Sequence, residues 1–449
     1  MIKPNDFKGK RVLVLGLAKS GYAAAELLQS LGAIVVVNDA SPEEGNDDVL
    51  VLRSKGVEVI CGGHPQNLLD KEFDLIVKNP GIPYQNQVLQ QALQQQIPIW
   101  TEIELAYLVS EAPIIAITGS NGKTTTTTLL YHMLNIGGKK PIIAGNIGTV
   151  ACSVAENATS DEVIVMEVSS FQLAGVEKFR PKIAVWTNLY DSHIDYHGTA
   201  EEYAKAKANI IKNQEPDDFF IYNADQTDMQ KYIEQGRGKK IPFSLQGKTI
   251  DGISADDEMI YWLGEPFVKR SIIKLLGQHN LENILAATAS AILMNCDKDT
   301  IENVLSSFTG VRHRMQFVKE FNDRTFFNDS KATNTLATKS ALSSFESPVI
   351  LIAGGLDRGH SFEELRPYMT QVKAVFGLGE TADRFIEFAR SCGVQITQKA
   401  LTMDDAVKAA YESSEEGDQI LLSPACASWD QYKSFENRGD AFIEAIMNL

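Results

Sequence analysis

The chain has 449 residues, enough for two or three domains that each bury a core of their own. Its 44% hydrophobic and 22% charged content is that of a globular protein in water. A net charge of −16 argues against a nucleic-acid partner or an anionic membrane surface, since either would favour a basic face.

No 18-residue apolar run is present, and the opening "MIKPNDFKGK" does not read as a secretory leader. The five cysteines (Cys61, Cys152, Cys296, Cys392, Cys426) lie far apart without a CxxC pair. That excludes a cysteine-rich zinc site and argues against a disulfide framework, so a cytoplasmic protein is expected.

Residues 11–39 run from a buried strand through a Gly-bounded turn and an amphipathic helix to a second strand ending at Asp39. This is a βαβ unit whose loop opens a helix N-terminus, where an anion can sit. The loop "GLAKSG" lacks the second glycine of G-x-G-x-x-G, so the dinucleotide fingerprint is weak. A strand over 74–82 and a helix near 86–96 follow, and this domain ends near residue 101. A second strand–loop–helix begins at "PIIAITGSNGK", with strands at 162–170 and 182–189 and helices at 201–211 and 277–294. A third block opens at "TGVRHRMQF" and holds strands at 324–330, 348–355, 374–379 and 419–425. Apolar strands ending in Gly, Ser, Asp or Asn are typical of parallel sheets, which bind ligands at their carboxyl edges. The expectation is an α/β protein of three domains. Residues 1–101 form a Rossmann-like domain, 102–310 a central P-loop ATPase-type parallel sheet, and 311–449 a Rossmann-like C-terminal domain.

The stretch "AITGSNGKTTTTTLL" at 116–130 has the order of a phosphate loop but not its usual G-x-x-x-x-G-K-[ST] spacing. Gly119 and Gly122 let backbone N–H groups curl around phosphate, with Asn121 between them. Lys123 supplies a mobile cation, and Thr124 can place a hydroxyl on Mg²⁺. The competing explanation is a chance Gly-Lys turn before a helix. Threonine is a poor helix former, so Thr125–Thr128 suggest polar work, although hydroxyls bonding the preceding turn would serve equally well. Glu167 ends a strand on the same sheet edge and could complete a Mg²⁺ site; alone, a strand-end Glu is more often a cap or ion-pair partner. His193, Asp195 and His197 cluster after the next strand.

The motifs "TGSNGKTT", "GNIG", "MEVSSFQL", "HIDYHG", "GQHN", "RHR", "NDSKATN" and "SPACASWDQYKSFENRG" occur in that order along the whole chain. Together they resemble the ATP-dependent Mur ligases, which build the peptide of bacterial peptidoglycan. Within that family the chain is similar to the branch that joins D-glutamate to UDP-N-acetylmuramoyl-L-alanine. The D-N-P-R run of the diaminopimelate-adding branch is absent.

The resemblance implies that Lys123 and Thr124 hold ATP phosphates and Mg²⁺, with Gly119, Asn121, Gly122 and Thr125 completing the loop. Glu167 would share that ion, and His193 would bind a second Mg²⁺. Lys207 matches the family lysine that CO₂ carbamylates into an oxygen ligand; on residue type alone it is a solvated helix lysine. Asn146 would contact phosphates or substrate, and Asn280 and Asn283 would face adenine. Arg314 and Asp329 would meet ATP, and Lys331, Thr333, Ser428 and Phe435 would form the D-glutamate pocket. Arg358 stands near a family lysine, a departure that trades a point charge for a bidentate fork. The first domain would hold UDP: Lys19 and Ser20 at the diphosphate, Asp39 at the uridine, Asn79 and Gly81 lining the cleft. ATP would lie between the central and third domains, with "TGVRHR" as a hinge and a monomer as the working form.

Other readings are a sister Mur ligase, a folylpolyglutamate-type ligase, a P-loop NTPase switch and a dinucleotide oxidoreductase. The folate enzymes begin near their phosphate loop. A switch has no need of "DSKATN" and "SPACAS", and the phosphate loop argues against the oxidoreductase.

Overall fold

In the computed structural model, residues 6–190, 193–247, 251–275, 277–345 and 347–449 are described, apart from the side chains of Asp195, Gln278 and His279. The chain forms two compact units, Met1–Phe308 and Thr309–Leu449. Among the described residues no helix is long and apolar enough to cross a membrane.

The first unit contains two sheets. One comprises β1 (Arg11–Leu15), β2 (Ile34–Asn38), β3 (Glu58–Ile60), β4 (Leu75–Lys78) and β5 (Ile99–Trp100), in the order β3-β2-β1-β4-β5. All its pairings are parallel. Strand order reverses between β1 and β4, so the loops leaving these two strands flank a crevice at the carboxyl edge, the place where such sheets take ligands. The helix Lys19–Ser30 leaves β1 through Gly16 (φ +92°), and a Cβ on Gly21 would lie 1.9 Å from the Gly16 carbonyl oxygen. Only glycine permits that approach of helix to strand.

The second sheet comprises β6 (Ile114–Thr118), β7 (Pro141–Gly145), β8 (Val163–Glu167), β9 (Ile183–Trp186), β10 (Phe219–Asn223), β11 (Lys239–Ser244), β12 (Ile253–Ala255), β13 (Met259–Trp262) and β14 (Glu265–Lys269). Their order is β14-β13-β12-β11-β10-β9-β6-β8-β7. The sheet is parallel from β7 to β12 and antiparallel through β13 and β14. The reversal between β6 and β9 places the loop after β6 beside the ends of β8 and β9.

The helix Glu102–Val109 joins the two sheets and is buried along most of its length. Glu104 accepts backbone N–H bonds from Glu177, Lys178 and Phe179 at 2.7–3.0 Å. Glu102 accepts from the Cys152 amide and from Gln172 Nε2, and burial pushes its carboxyl up to about 7. These bonds tie the linker to the helices at Cys152 and Gln172 and to the loop before β9, and residues on either side of position 101 belong to one unit.

The second unit is built on β15 (Gln316–Phe321), β16 (Arg324–Asn328), β17 (Val349–Gly354), β18 (Val372–Leu378), β19 (Ile396–Lys399) and β20 (Gln419–Leu422). Their order is β15-β16-β20-β17-β18-β19, antiparallel only between β15 and β16. Apolar clusters cover both faces of this sheet, one around Leu351, Phe385 and Leu421 and the other around Ile352, Phe376 and Phe442.

Several strands stop short of the lengths read from sequence. The strand expected over 162–170 ends at Glu167, because Ser169 and Gln172 form a capping box that starts the short helix Ser170–Leu173. The antiparallel strands β13 and β14 were not anticipated; Leu263 (φ +50°) and Gly264 (φ +83°) make the two-residue turn between them, a weak signal without Asn-Gly or Asp-Gly.

Candidate functional site

The β6 loop forms the centre of the first unit's site. Gly119 (φ +151°) and Gly122 (φ +80°) open the helix Lys123–Ile136. The end of β9 pins the loop from the side. Asn188 Oδ1 accepts the Asn121 N–H at 2.8 Å, and Thr187 Oγ1 donates to the Asn121 carbonyl at 2.6 Å. Tyr203 Oη lies 2.9 Å from Ser120 Oγ. On the opposite side stands Asn283, near Gly122 and Thr126, its Nδ2 donating to Asn280 Oδ1 at 3.2 Å. Thr124, Thr126 and Thr127 are buried and Thr125 and Thr128 half-buried, so the middle of the threonine run serves the core.

A Cβ on Gly122 would lie 2.0 Å from Asn283 Oδ1, in a backbone region that costs L-residues about 1–2 kcal/mol. Gly122→Ala is therefore expected to deform the loop and raise KM for ATP about ten-fold or more, measured by steady-state kinetics. An unchanged KM would mean that the loop does not hold the nucleotide.

Three charged groups converge beneath this loop. Lys123 Nζ donates to the carbonyls of Gly119 and Ser120 at 2.8 and 2.9 Å. Lys207, on the helix Ala200–Ala208, also donates to the Gly119 carbonyl, at 2.8 Å, and its Nζ lies 4.7 Å from the centre of the Tyr203 ring. Lys207 is 1% exposed, which overturns the solvated-lysine reading. Burial first, and then the Lys123 cation, hold its ammonium well below the usual lysine range, against the pull of Glu167. Glu167 is buried at the end of β8. Its Oε1 accepts from Asn146 Nδ2 at 2.7 Å, while its Oε2 is buried without a hydrogen-bond partner. An orphaned carboxylate oxygen beside a phosphate loop fits a hard cation such as Mg²⁺. Among the described residues no three His, Cys, Asp or Glu side chains converge into a ready metal cage.

His193 takes a left-handed backbone (φ +54°) at the start of the short helix Ile194–His197. Its ring centre lies 4.8 Å from that of Phe171, on which His197 stacks at 5.5 Å. His197 Nε2 lies 3.0 Å from Ser170 Oγ. The side chain of Asp195 lies outside the described residues.

The crevice between β1 and β4 gathers the other predicted residues of this unit. Lys19 begins its helix and is exposed. Ser20 Oγ accepts from Asn79 Nδ2 at 2.9 Å, and Asn79 Oδ1 accepts the Gly81 N–H at 3.0 Å. Asp39 accepts the N–H groups of Leu17 and Ser41 at 2.5 and 2.7 Å. Burial works to raise its carboxyl, but these donors outweigh it and hold the group below the usual range.

In the second unit Asp329, Lys331 and Thr333 follow β16, Ser428 and Phe435 follow β20, and Arg314 precedes β15. Asp329 is buried; its Oδ2 accepts from Ser423 Oγ at 2.9 Å and its Oδ1 from the Met315 N–H at 3.2 Å. Burial pushes its carboxyl up to about 7. Lys331 Nζ lies 5.7 Å from the Phe435 ring centre, and Ser428 Oγ is buried without a hydrogen-bond partner. The Arg358 guanidinium covers the exposed Trp429 ring at 5.0 Å.

Sequence reasoning missed the residues that hold these groups in place. Thr187 and Asn188 were visible only as a polar strand end. Arg438 lay inside a quoted motif with no role assigned. It is buried and donates from Nε to Ser330 Oγ at 3.0 Å and from Nη2 to the Ser330 carbonyl at 2.8 Å, which braces the loop between Asp329 and Lys331. Burial lowers its guanidinium to about 10.

Three family models match the chain. They are the Mur ligase MurD-like N-terminal domain over 10–101, the Mur ligase middle domain over 117–291, and the Mur ligase glutamate ligase domain over 313–426. The UDP-N-acetylmuramoylalanine–D-glutamate ligase of Bacillus cereus (strain B4264) is 54% identical over 444 residues, covering 99% of both chains. The enzyme of the same name from Bacillus mycoides (strain KBAB4) is also 54% identical with the same coverage. Among solved structures, MurF from Acinetobacter baumannii superposes with a TM-score of 0.57 at 16% identity, covering 100% of this chain and 93% of that one. The UDP-N-acetylmuramate-alanine ligase MurC from Thermotoga maritima gives 0.56 at 19% identity, covering 98% and 99%. At such identities these two likenesses concern the fold alone.

Proposed function

From the premise that this chain belongs to the Mur ligase family, we propose that it joins D-glutamate to UDP-N-acetylmuramoyl-L-alanine in a reaction driven by ATP. The family is an amide-forming one, and relatives alike over almost the full length carry this activity in their names. The observation that carries the phosphoryl-transfer reading is the β6 loop, with Lys123 and Lys207 on one carbonyl and the orphaned oxygen of Glu167 beside them.

The ATP γ-phosphoryl group passes to the L-alanine carboxylate, giving an acyl phosphate. The D-glutamate amine attacks its carbonyl carbon, and phosphate leaves from the tetrahedral intermediate. The reacting carboxylate and the triphosphate repel each other, so the site must neutralise charge. Lys123 and the loop N–H groups face the phosphates. Mg²⁺, when bound, neutralises phosphate oxygens; Glu167 and Thr124 would hold it, and Lys207 would join them as its carbamate. A second ion would be held by His193 and Lys207. The buried Lys207 amine, held away from its charged form, is the state that adds to CO₂. Asn146 fixes one oxygen of Glu167 and leaves the other for the ion.

The β1–β4 crevice takes the UDP end of the substrate. In the second unit Asp329 and Arg314 serve ATP, while Lys331, Thr333, Ser428 and Phe435 serve D-glutamate. Free cysteines and a net charge of −16 suit a cytoplasmic monomer without nucleic-acid or membrane partners.

An amino-acid panel tests this reading. Phosphate should be released only when ATP, the nucleotide sugar and D-glutamate are all present. Equal release without D-glutamate would make the protein an NTPase switch, and equal use of L-alanine or L-glutamate would make it a sister ligase.

A further inference from the structure

Lys78 closes β4 with a buried ammonium that meets no carboxylate among the described residues. It is 1% exposed, and its donors go to the carbonyls of Pro80 and Ile82 at 3.2 and 3.0 Å and to Tyr196 Oη at 2.9 Å, with the Asn79 carbonyl at 3.4 Å. Tyr196 Oη in turn lies 2.9 Å from the Pro80 carbonyl oxygen and 3.1 Å from that of Ile82. The ammonium also lies 5.1 Å from the centre of the Tyr84 ring, whose hydroxyl donates to the Ala174 carbonyl at 3.1 Å.

Two segments of different origin thus share one buried polar knot. The loop 79–82 carries Asn79 and Gly81 at the crevice of the first sheet. The helix Ile194–His197 carries Tyr196 and begins at His193, beside the phosphate loop of the second sheet. From Tyr196 the contacts continue through Phe171 (4.4 Å between ring centres) to His197, Tyr203 and Ser120 of the phosphate loop.

Burying an ammonium without a counter-ion is costly, and a methionine would fill the same space without that cost. Burial alone lowers the Lys78 ammonium to about 7. A lysine held at such a cost at the end of a strand, under a loop that faces a ligand crevice, serves placement better than stability.

We propose that Lys78, through Tyr196, is a positioning residue that holds the nucleotide-sugar loop 79–82 and the His193 turn in one fixed arrangement. The inference rests on the reading that loop 79–82 lines the UDP-substrate cleft. It goes beyond it by making the placement of the two ends of that substrate interdependent. A ligand that orders one segment orders the other.

The test compares Lys78→Met, Tyr196→Phe and the double variant with the unaltered enzyme. Lys78→Met should keep its cooperative thermal transition and raise KM for UDP-N-acetylmuramoyl-L-alanine about ten- to hundred-fold, the loss expected for hydrogen bonds to a charged donor. KM for ATP, whose loop the knot reaches only through the aromatic contacts of Phe171, His197 and Tyr203, should rise clearly less. Tyr196→Phe should move the same parameter in the same direction. The double variant should be no worse than Lys78→Met, because both changes break one knot. Equal rises in both KM values, or additive losses, would overturn the proposal.

Hydrogen exchange supplies a readout free of turnover. In Lys78→Met the amides of 79–84 and of 193–198 should lose protection together, and loss in only one segment would overturn the proposal. If the unaltered protein fails to bind the nucleotide sugar in calorimetry, the functional reading falls, while the exchange experiment still decides whether the two segments are joined.

Discussion

Lys207→Ala is expected to abolish turnover, with a fall in kcat on the order of a thousand-fold, as when a charge-stabilising group is removed from a preorganised site. Lys207 lies under the phosphate loop, on the same carbonyl as Lys123 and near the orphaned oxygen of Glu167. A second permanent cation there would repel Lys123, and burial already disfavours it. The neutral amine relieves both penalties and is the form that takes up CO₂. A carbamate there would turn the group into an anionic oxygen donor, which would complement a hard ion held by Glu167.

Alanine removes that donor. Lys207→Arg separates the alternatives, since guanidinium stays charged and forms no carbamate under these conditions. If the lysine acts as a plain cation, arginine should restore much of the rate; if it acts as a carbamate, arginine should be as inactive as alanine. The unaltered enzyme should also lose activity when CO₂ is stripped from the buffer, recover it on adding bicarbonate, and carry label from isotopic bicarbonate at Lys207. Full activity in CO₂-free buffer would sink the carbamate. Lys123→Met bears on the same point, because removing that cation lets Lys207 hold its proton more readily and should lower carbamate occupancy.

Much of this was legible from residue patterns, for reasons that differ by level. Parallel strands buried on both faces read as apolar runs ending in polar residues, so β1, β4, β6, β8, β9, β17 and β20 were visible with their polar carboxyl ends. The strand–turn–helix around Gly119 and Gly122 was readable because its tight turn demands glycines in a fixed local order. The Lys207 site was not, because a lysine on "YAKAKAN" gives no sign that Tyr203 and the Gly119 carbonyl will bury it. Lys78 was hidden in the same way: its partners are backbone carbonyls and a tyrosine 118 positions away. Such sites are made by tertiary packing, and one sequence carries the residue but not the environment that sets its charge. The expected strand ends at 170 and 425 overran the observed ends, Glu167 and Leu422, for a local reason, since polar residues after a parallel strand belong to the loop that presents them.

Asp329→Asn is expected to change how stability depends on pH while abolishing activity. Burial raises the Asp329 carboxyl to about 7, against the Ser423 hydroxyl, the Met315 amide and the Arg314 cation, which all favour the charged form. In the unfolded chain the group returns to about 3.8. Between those values the folded state holds a proton that the unfolded state releases. The carboxyl's contribution to stability is therefore fully present below about pH 3.8 and is lost as pH rises through about 7. At about 1.4 kcal/mol per pH unit, this interval corresponds to roughly 4 kcal/mol. Asparagine keeps the shape and both contacts: its oxygen can accept the Met315 N–H and its amide can donate to Ser423 Oγ. It carries no charge to desolvate. Denaturant unfolding of the full chain at several pH values, following the transition of the second unit, should show the variant matching the unaltered protein near pH 4. By pH 8 it should exceed it by up to roughly 4 kcal/mol. Other groups titrate in the same window, Glu102 among them, but they are common to both proteins and cancel in the difference. A variant less stable at pH 8, or a difference that does not change with pH, would show that Asp329 is ionised in the folded protein. A gain in stability together with a loss of turnover would identify Asp329 as a residue kept for its chemistry, at a cost to the fold that carries it.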